Sequence, residues 1–254
     1  MVGGKNMEKK IHYCWFGSKP LPPLAIKCIE SWKKYFPDYE IIEWNEKNFN
    51  VNCNSYVKEA YKKGKYAVVS DYARLKIIYE NGGIYFDTDV EVIKRFSNSM
   101  LEKGFFGLEG KYINTGLGFS APKKSKIIKI MLDDYEKIHF INSDGTLDLK
   151  ACPERNTTSL INKGYNISKK ESSIDGIKIY PDEFFNPYDY KTNILKTTAN
   201  TYSIHHCAAS WISDEKRKDL NIKHNLVGKF GKYLGTFCYY IYKIIKIIIG
   251  KENK

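Results

Sequence analysis

The spacing of apolar residues predicts alternating strands and helices over most of the chain. Short apolar runs bounded by Gly, Pro or Asp predict strands at residues 11–16, 39–44 and 83–86. Residues with apolar side chains at helical spacing predict intervening helices at 24–35, 56–61 and 72–80. A later helix is predicted at 126–139, a mobile polar loop at 142–156, and later strands at 105–108, 117–119, 177–180 and 201–205. This alternation is typical of an α/β layer fold with a substantially parallel sheet.

The last part of the chain has a different pattern. From Leu226 to Ile248, apolar residues recur at three- and four-residue steps with lysines between them, which predicts one cationic amphipathic helix within 220–254. Four lysines in this stretch, each costing about 2.5 to 3.5 kcal/mol at a bilayer centre, argue against a membrane span. We expect the helix to lie on an anionic membrane surface; the alternative is a helix packed on the domain with its basic face in water. The predicted regions are thus 1–219 and 220–254.

Composition narrows the class of protein. The chain has 254 residues, 43% of them hydrophobic, which is enough for one large core. Half of its net charge of +12 lies in 220–254, where seven lysines face Glu252 alone, and no nucleic-acid recognition motif accompanies this charge, so no nucleic-acid partner is expected. The six cysteines show no CxxC spacing and the N-terminus lacks an apolar signal core. We therefore expect a cytoplasmic protein, peripheral on the inner face of the cell membrane.

The segment from residue 70 to residue 89 carries the candidate chemistry. Asp71 and Arg74 lie one helical turn apart, and Asp87 and Asp89 lie where the following apolar strand ends. Side chains at i and i+2 of a strand point the same way, so these two carboxylates repel each other unless a cation lies between them. Mg²⁺ or Mn²⁺, with phosphate oxygens completing the shell, suits such oxygen ligands. The layout indicates a metal-assisted site for a nucleotide-diphosphate sugar.

Four segments carry a family resemblance: IHYCWFG (11–17), PDYEIIEWNE (37–46), SDYARLKIIYENGGIYFDTDVEV (70–92) and IHHCAASW (204–211). In this order they resemble bacterial capsular-polysaccharide glycosyltransferases of glycosyltransferase family thirty-two, and more distantly the glucosyltransferase domains of large clostridial toxins. The resemblance implies a GT-A fold, Rossmann-like with a mixed, mostly parallel sheet flanked by helices. It also implies a nucleotide-sugar donor, a divalent metal, and transfer with retention of anomeric configuration.

The resemblance also implies roles for residues early in the chain. Trp15 would stack on the donor base, with Phe16 and Gly17 lining the same opening. Asp71 and Arg74 would hold hydroxyls of the transferred sugar. Tyr85 would contact the donor or pack in the core, and Asn114 would lie beneath the sugar.

The remaining implied roles concern the leaving group. Asp89 would bind the metal directly, and Asp87 would engage the ribose and the metal. His206 would be a further metal ligand, with His205 the lesser candidate. Ser210 would bind the diphosphate and Trp211 would close over the donor; these two residues are adjacent here, whereas the toxins carry a residue between them.

The function expected from these residues is a hexosyltransferase that uses Mn²⁺ or Mg²⁺ and a UDP-sugar, UDP-galactose or UDP-glucose as first guess. Its acceptor would be a saccharide linked to a lipid diphosphate, in capsule or surface polysaccharide biosynthesis. A rival enzyme class is the haloacid-dehalogenase-like phosphotransferase, but that motif needs Thr or Val where Glu91 stands. A non-catalytic basic membrane-surface or carbohydrate-binding module is the other alternative, for which paired carboxylates have no evident use.

Overall fold

The computed structural model describes residues 7–168, 170–188, 194–208 and 214–252. In these ranges its strands are β1 (Lys10–Cys14), β2 (Glu40–Trp44), β3 (Gly83–Tyr85), β4 (Val90–Val92), β5 (Phe105–Glu109), β6 (Tyr112–Ile113), β7 (Phe119–Ala121), β8 (Ser172–Ile174), β9 (Ile177–Tyr180) and β10 (Ser203–His205). Its α-helices are α1 (Pro23–Tyr35), α2 (Ser55–Lys62), α3 (Tyr66–Asn81), α4 (Asn98–Lys103), α5 (Lys126–Tyr135), α6 (Cys152–Ile161), α7 (Asp214–Phe230) and α8 (Lys232–Glu252).

The main sheet is mixed. Its order is β2-β1-β3-β7-β5-β9-β8, and β6 pairs with β5. β1 runs parallel to β2 and β3, and β5 runs parallel to β9, whereas β6, β7 and β8 run antiparallel to their neighbours. Five of these eight strands therefore share one direction, and the predicted α/β class with a mixed, mostly parallel sheet is confirmed. β4 and β10 form a separate antiparallel pair.

The apolar core lies on both faces of the sheet because side chains alternate along each strand. Tyr85 of β3 belongs to the cluster that α2, α3 and α5 cover. Its neighbours Ile84 and Phe86 belong to the opposite cluster, which is covered by α1 through Trp32. Helices on both faces leave the strand ends at the edge of the sheet as the place for polar side chains.

The step from α3 to β3 depends on a pair of glycines. Helix α3 begins at Tyr66, six residues before the predicted start, and ends at Asn81, next to Gly82. Gly83 has φ 93°, and a Cβ on it would lie 2.7 Å from the carbonyl oxygen of Lys10 in β1. Only glycine tolerates both the backbone conformation and the contact. The pair lets β3 join β1 directly after the helix, which fixes where Asp87 emerges.

Two local predictions were wrong. The loop expected at 142–156 contains the start of α6, whose polar residues Asn156 and Thr157 are buried. The Thr157 hydroxyl accepts a hydrogen bond from the amide of Ile113 at 2.8 Å. Tertiary hydrogen bonds thus stabilise a helix that the local polarity disfavours. The helix predicted to reach residue 139 ends at Tyr135.

The chain divides into two compact units, Met1–Asn186 with Ala199–Cys207, and Pro187–Thr198 with Ala208–Lys254. In the second unit, the C-terminal helix predicted within 220–254 is present as two helices, because Gly231, with φ 78°, separates α7 from α8. The two helices form an antiparallel hairpin, since Asp219 contacts Tyr239 and Lys243 while Glu215 pairs with Lys246. Within the described residues, no helix combines the length and the apolar character needed to cross a membrane.

Candidate active site

Asp87 and Asp89 lie in the turn between β3 and β4, at the carboxyl end of β3. The amide of Val90 donates to the carbonyl oxygen of Asp87 at 3.0 Å and closes this turn. Helix α1 fixes the turn from its other side, because the buried indole Nε1 of Trp32 donates to the carbonyl oxygen of Val90 at 2.7 Å. These two hydrogen bonds fix the backbone of the turn, and both carboxylates belong to one cluster of side chains.

Arg74 joins Asp87 to helix α3. Its Nη2 lies 3.1 Å from Asp71 Oδ1 and 3.1 Å from Asp87 Oδ1. The Arg74 side chain is only 6% exposed, whereas each carboxylate side chain is 24% exposed. The buried guanidinium therefore holds two partly exposed carboxylates side by side. Its positive charge offsets one of their two negative charges.

Tyr85 lies under this ion pair. Its hydroxyl donates to Asp87 Oδ1 at 2.9 Å, and the Arg74 guanidinium lies 5.3 Å from the centre of its ring. Tyr85 is buried, so its role in the structure is to position Asp87 from within the core. The thiol of Cys14 is buried at the same place, and burial raises its pKa to about 12.

The pKa values of Asp71 and Asp87 differ from those of free aspartate side chains. Burial raises the pKa of Asp71 to about 6; Arg74 opposes this rise and the neighbouring Asp87 adds to it. Burial also raises the pKa of Asp87, again against Arg74, and the like charge of Asp89 adds to the effect. Carboxylates whose ionised forms are disfavoured by burial and by each other gain from a bound cation.

His205, at the end of β10, is the histidine that the structure places beside Asp87 and Asp89. Asp87, Asp89 and His205 each offer a ligand atom, and these atoms all lie within 4.8 Å of one another. His205 Nε2 lies 3.1 Å from Asp89 Oδ1. Burial alone would lower the pKa of His205, but attraction and a hydrogen bond to Asp89 raise it well above its ordinary value.

His206, the predicted further metal ligand, contacts a different carboxylate from His205. His206 Nε2 lies 2.8 Å from Glu91 Oε2, which also accepts from Lys27 Nζ at 2.8 Å. The backbone of His206 contacts the aspartate turn, where its amide donates to the carbonyl oxygen of Asp89 at 2.9 Å. Adjacent residues at the end of a strand point to opposite sides, so His205 and His206 cannot both face the cluster.

The expected base-binding residues follow β1. Trp15 is partly buried, and its indole Nε1 donates to the carbonyl oxygen of Lys19 at 2.5 Å. Phe16 is buried and packs edge-on against Phe49, so the structure places it in the core. The amide of Gly17 donates to Glu46 Oε1 at 2.7 Å. Because β1 and β3 are parallel neighbours, this segment and Asp87 leave the same edge of the sheet.

Asn114 is buried near Gly116, a residue that the sequence reasoning missed. Asn114 Nδ2 donates to Glu109 Oε2 at 2.7 Å, and its Oδ1 accepts from the amide of Gly116 at 2.7 Å. A Cβ on Gly116 would lie 2.6 Å from Asp87 Oδ2 and 3.2 Å from Arg74 Nη1. Gly116 therefore allows the chain to pass directly against the ion pair. The run NTG at 114–116 was the available signal, since glycine permits such close approach.

Ser210 and Trp211, the expected diphosphate ligand and lid, lie outside the described residues. Their roles stay predictions.

The donor set of the cluster suits a divalent metal ion. The two carboxylates match the preference of Mg²⁺ and Mn²⁺ for oxygen ligands, and the imidazole offers a nitrogen as a third ligand. Asp87, Asp89 and His205 would hold the ion, which would offset negative charge on phosphate oxygens.

Comparison with known proteins points to the same segment. Residues 22–106 match the family model described as "Glycosyltransferase sugar-binding region containing DXD motif". A curated relative, subversion of eukaryotic traffic protein A of Legionella pneumophila subsp. pneumophila, is 30% identical over an alignment of 112 residues that covers 34% of this chain and 17% of the relative. The chain thus spans a small part of that relative's length.

Two solved structures are similar to this chain. The PaToxG glycosyltransferase has a TM-score of 0.49 at 19% identity, over 62% of this chain and 69% of that chain. A glycosyltransferase involved in the glycosylation of the major capsid of PBCV-1 has a TM-score of 0.42 at 13% identity, over 83% of this chain and 97% of that chain. The range that matches the family model includes Asp71, Arg74, Asp87 and Asp89, so the match and the cluster of side chains lie in the same part of the chain.

Proposed function

We propose that the chain is a metal-dependent glycosyltransferase that moves a hexose from a nucleotide-diphosphate sugar to a saccharide acceptor. The observation that carries the proposal is the junction of two groups at Asp87: the ion pair with Arg74 and Asp71 on one side, and the cluster with Asp89 and His205 on the other. One group offers charged hydrogen-bonding partners for sugar hydroxyls, and the other offers ligands for a cation that binds a diphosphate.

The reaction breaks the bond between the anomeric carbon and the diphosphate oxygen, and it forms a bond from that carbon to an acceptor oxygen. Negative charge grows on the departing diphosphate, and a divalent ion when bound would supply the opposite charge. Asp87, Asp89 and His205 would fix its position. For retention, the acceptor hydroxyl would attack from the leaving-group side and pass its proton to the released diphosphate oxygen. Retention rests on the sequence resemblance.

Asp71 and Arg74 would orient the transferred sugar. The partly exposed Asp71 carboxylate accepts from hydroxyl groups, while Arg74 keeps it from turning away. Fixing the sugar against the diphosphate lowers the entropic cost of reaching the transition state. Trp15 at the end of β1 and Asn114 beside Glu109 would complete the donor site, in the roles that the sequence resemblance implies.

The identities of the metal ion, the donor and the acceptor are part of the same proposal. The proposed ion is Mn²⁺ or Mg²⁺, since both prefer carboxylate oxygens such as those of Asp87 and Asp89. A UDP-hexose donor, a lipid-diphosphate-linked acceptor, and a place in capsule or surface polysaccharide synthesis are supported by the resemblance of the four sequence segments. The rival phosphotransferase is disfavoured because Glu91, where that class needs a hydroxyl or small apolar residue, is engaged by Lys27 and His206.

The test is incubation of the purified chain with a panel of nucleotide sugars, with and without Mn²⁺. We expect metal-dependent release of nucleoside diphosphate from one donor of the panel. Release of inorganic phosphate from sugar phosphates, with no reaction of any nucleotide sugar, would contradict the proposal and support the phosphotransferase.

A further inference from the structure

The outer face of α8 is apolar along almost its whole length. Its exposed apolar side chains recur at three- and four-residue steps, so they share one side of the helix. Tyr233 is 89% exposed, Phe237 61% and Ile244 57%. The set, called here the α8 stripe, is Tyr233, Leu234, Phe237, Tyr240, Ile241, Ile244, Ile245, Ile247 and Ile248. A continuous apolar surface of this kind marks a site of interaction.

Two lysines of α8, Lys243 and Lys246, lie away from this stripe. Lys243 Nζ lies 3.0 Å from Asp219 Oδ2 of α7, and Tyr239 donates to the same oxygen at 2.6 Å. Lys246 Nζ lies 3.7 Å from Glu215 Oε1, also on α7. These contacts turn the cationic side of α8 towards its neighbour in the hairpin. The hairpin thereby separates charge from apolar surface more completely than the sequence pattern of a single helix predicts.

The hairpin as a whole is strongly basic. Residues 214–252 contain nine lysine and arginine residues against four aspartates and glutamates, a net charge of +5. Lys218 and Lys229 of α7 are exposed. An apolar face on a basic element is the combination that binds the headgroup region of an anionic bilayer.

We propose that the α8 stripe docks on the surface of an anionic lipid bilayer. The isoleucines and Phe237 enter the boundary between headgroups and acyl chains. Tyr233 and Tyr240 place their rings at the same level with the hydroxyl groups towards water, as tyrosines do at membrane interfaces. The lysines of the hairpin attract anionic headgroups. Their long side chains keep the ammonium groups in the aqueous layer beside those headgroups.

Charge favours lipid over a second copy of the chain. Two hairpins of charge +5, on chains of net charge +12, repel each other, whereas an anionic surface attracts each of them. The proposal goes beyond the transferase function and does not need it, since docking requires neither donor nor metal. If it holds, it favours the lipid-linked acceptor proposed above.

The experiment is sedimentation of the full chain with vesicles of phosphatidylcholine alone, or with about 30% phosphatidylglycerol. We expect binding to the anionic vesicles that weakens with salt, and much weaker binding to the neutral ones. The triple variant Phe237→Ser, Ile244→Ser, Ile248→Ser is expected to lose at least about tenfold in vesicle affinity. The matched control Leu149→Ser, Ile161→Ser, which also removes exposed apolar side chains, should bind as the wild type does.

A second variant tests the charge separately from the stripe. Lys218→Gln, Lys229→Gln removes two exposed cations and should weaken binding to anionic vesicles by several-fold without changing binding to neutral ones. Failure of the wild type to sediment with anionic vesicles would overturn the proposal, as would equal binding by the triple variant. Self-association of the wild type that the triple variant abolishes, without vesicle binding, would assign the stripe to a second copy. If the triple variant melts at a lower temperature than the wild type, the α8 stripe would instead be assigned to packing within the chain.

Discussion

Arg74 Nη2 lies 3.1 Å from Asp87 Oδ1, and this contact joins a residue of α3 to a residue of the Asp-x-Asp turn. The same nitrogen lies 3.1 Å from Asp71 Oδ1. One buried side chain thus sets the distance between the carboxylate proposed to hold the sugar and the carboxylate proposed to hold the metal. The planar guanidinium suits this task because its donors have fixed directions.

Replacing Arg74 with lysine tests this contact. The charge stays, but a single ammonium cannot hold both carboxylates in the same geometry, so we expect turnover to fall by about 100-fold. Arg95→Lys is the matched control, because Arg95 is an exposed arginine that lies 3.7 Å from Asp38. Wild-type turnover in Arg74→Lys would contradict the proposed role.

The two adjacent histidines are predicted to differ in metal binding. His205→Ala removes a ligand, so we expect Mn²⁺ affinity to fall by about 10- to 100-fold or more. His206→Ala should leave Mn²⁺ affinity within a few-fold, because its imidazole binds Glu91 instead. Calorimetric titration of Mn²⁺ into each variant measures this without any need for activity. The reverse order of affinities would restore His206 as the ligand.

Gly116→Ala is predicted to disrupt the site by steric contact. The new Cβ would lie 2.6 Å from Asp87 Oδ2, so the carboxylate or the 114–116 segment must shift. We expect a loss of turnover of about 10- to 100-fold, since small displacements at a reacting centre are costly. Gly110→Ala is the control for backbone strain alone. Its φ of 63° also disfavours an added side chain, but no atom lies within 4 Å of the Cβ that alanine would add. If both variants keep wild-type turnover, the close approach of Gly116 has no functional role.

Because His12 is buried in its neutral form, we expect the protein to lose stability in acid. The His12 side chain is fully buried in β1, where the Trp44 indole donates to its Nδ1 at 3.0 Å, so its Nε2 carries the proton and donates to the carbonyl oxygen of Gly82 at 3.1 Å. This arrangement requires the neutral ring. Burial, with a smaller contribution from Lys10, lowers its pKa from 6.5 to about 4, although the hydrogen bond to Gly82 opposes the change.

The sign of the effect follows from proton binding. Between pH 6.5 and 4 the unfolded chain protonates His12 while the folded chain does not, so stability is full above pH 6.5 and falls as the pH falls. The loss by pH 4 is about 3 kcal/mol. Urea unfolding at a series of pH values measures it, and His12→Gln should flatten the curve in this window. An unchanged pH dependence in that variant would assign the acid sensitivity to other groups.

The local part of the site could be predicted from the sequence. The end of α3 at Asn81, the glycine pair, and the emergence of Asp87 and Asp89 after a buried strand all depend on neighbouring residues. Their patterns are therefore visible in one short segment. The spacing of Asp71 and Arg74 likewise follows from helix geometry alone.

The remaining features depend on contacts between distant segments. Whether His205 or His206 faces the aspartates is set by the pairing of β10 with β4, in which His205 lies opposite Val90; a shift of one residue would exchange the two side chains. Gly116 matters only because its segment passes against Asp87. The hairpin of α7 and α8 is decided by Gly231 and by the contacts of Asp219, which a helical repeat does not reveal.

Release of nucleoside diphosphate from the active nucleotide sugar, measured against Mn²⁺ concentration, tests the central claim most directly. We expect release by the wild type only with metal, and a fall of about 100- to 1000-fold in Asp89→Asn. Asp133→Asn, which alters an exposed carboxylate paired with Lys129, should behave as the wild type does. Release without metal, or full release by Asp89→Asn, would contradict a leaving group held through Asp87, Asp89 and His205.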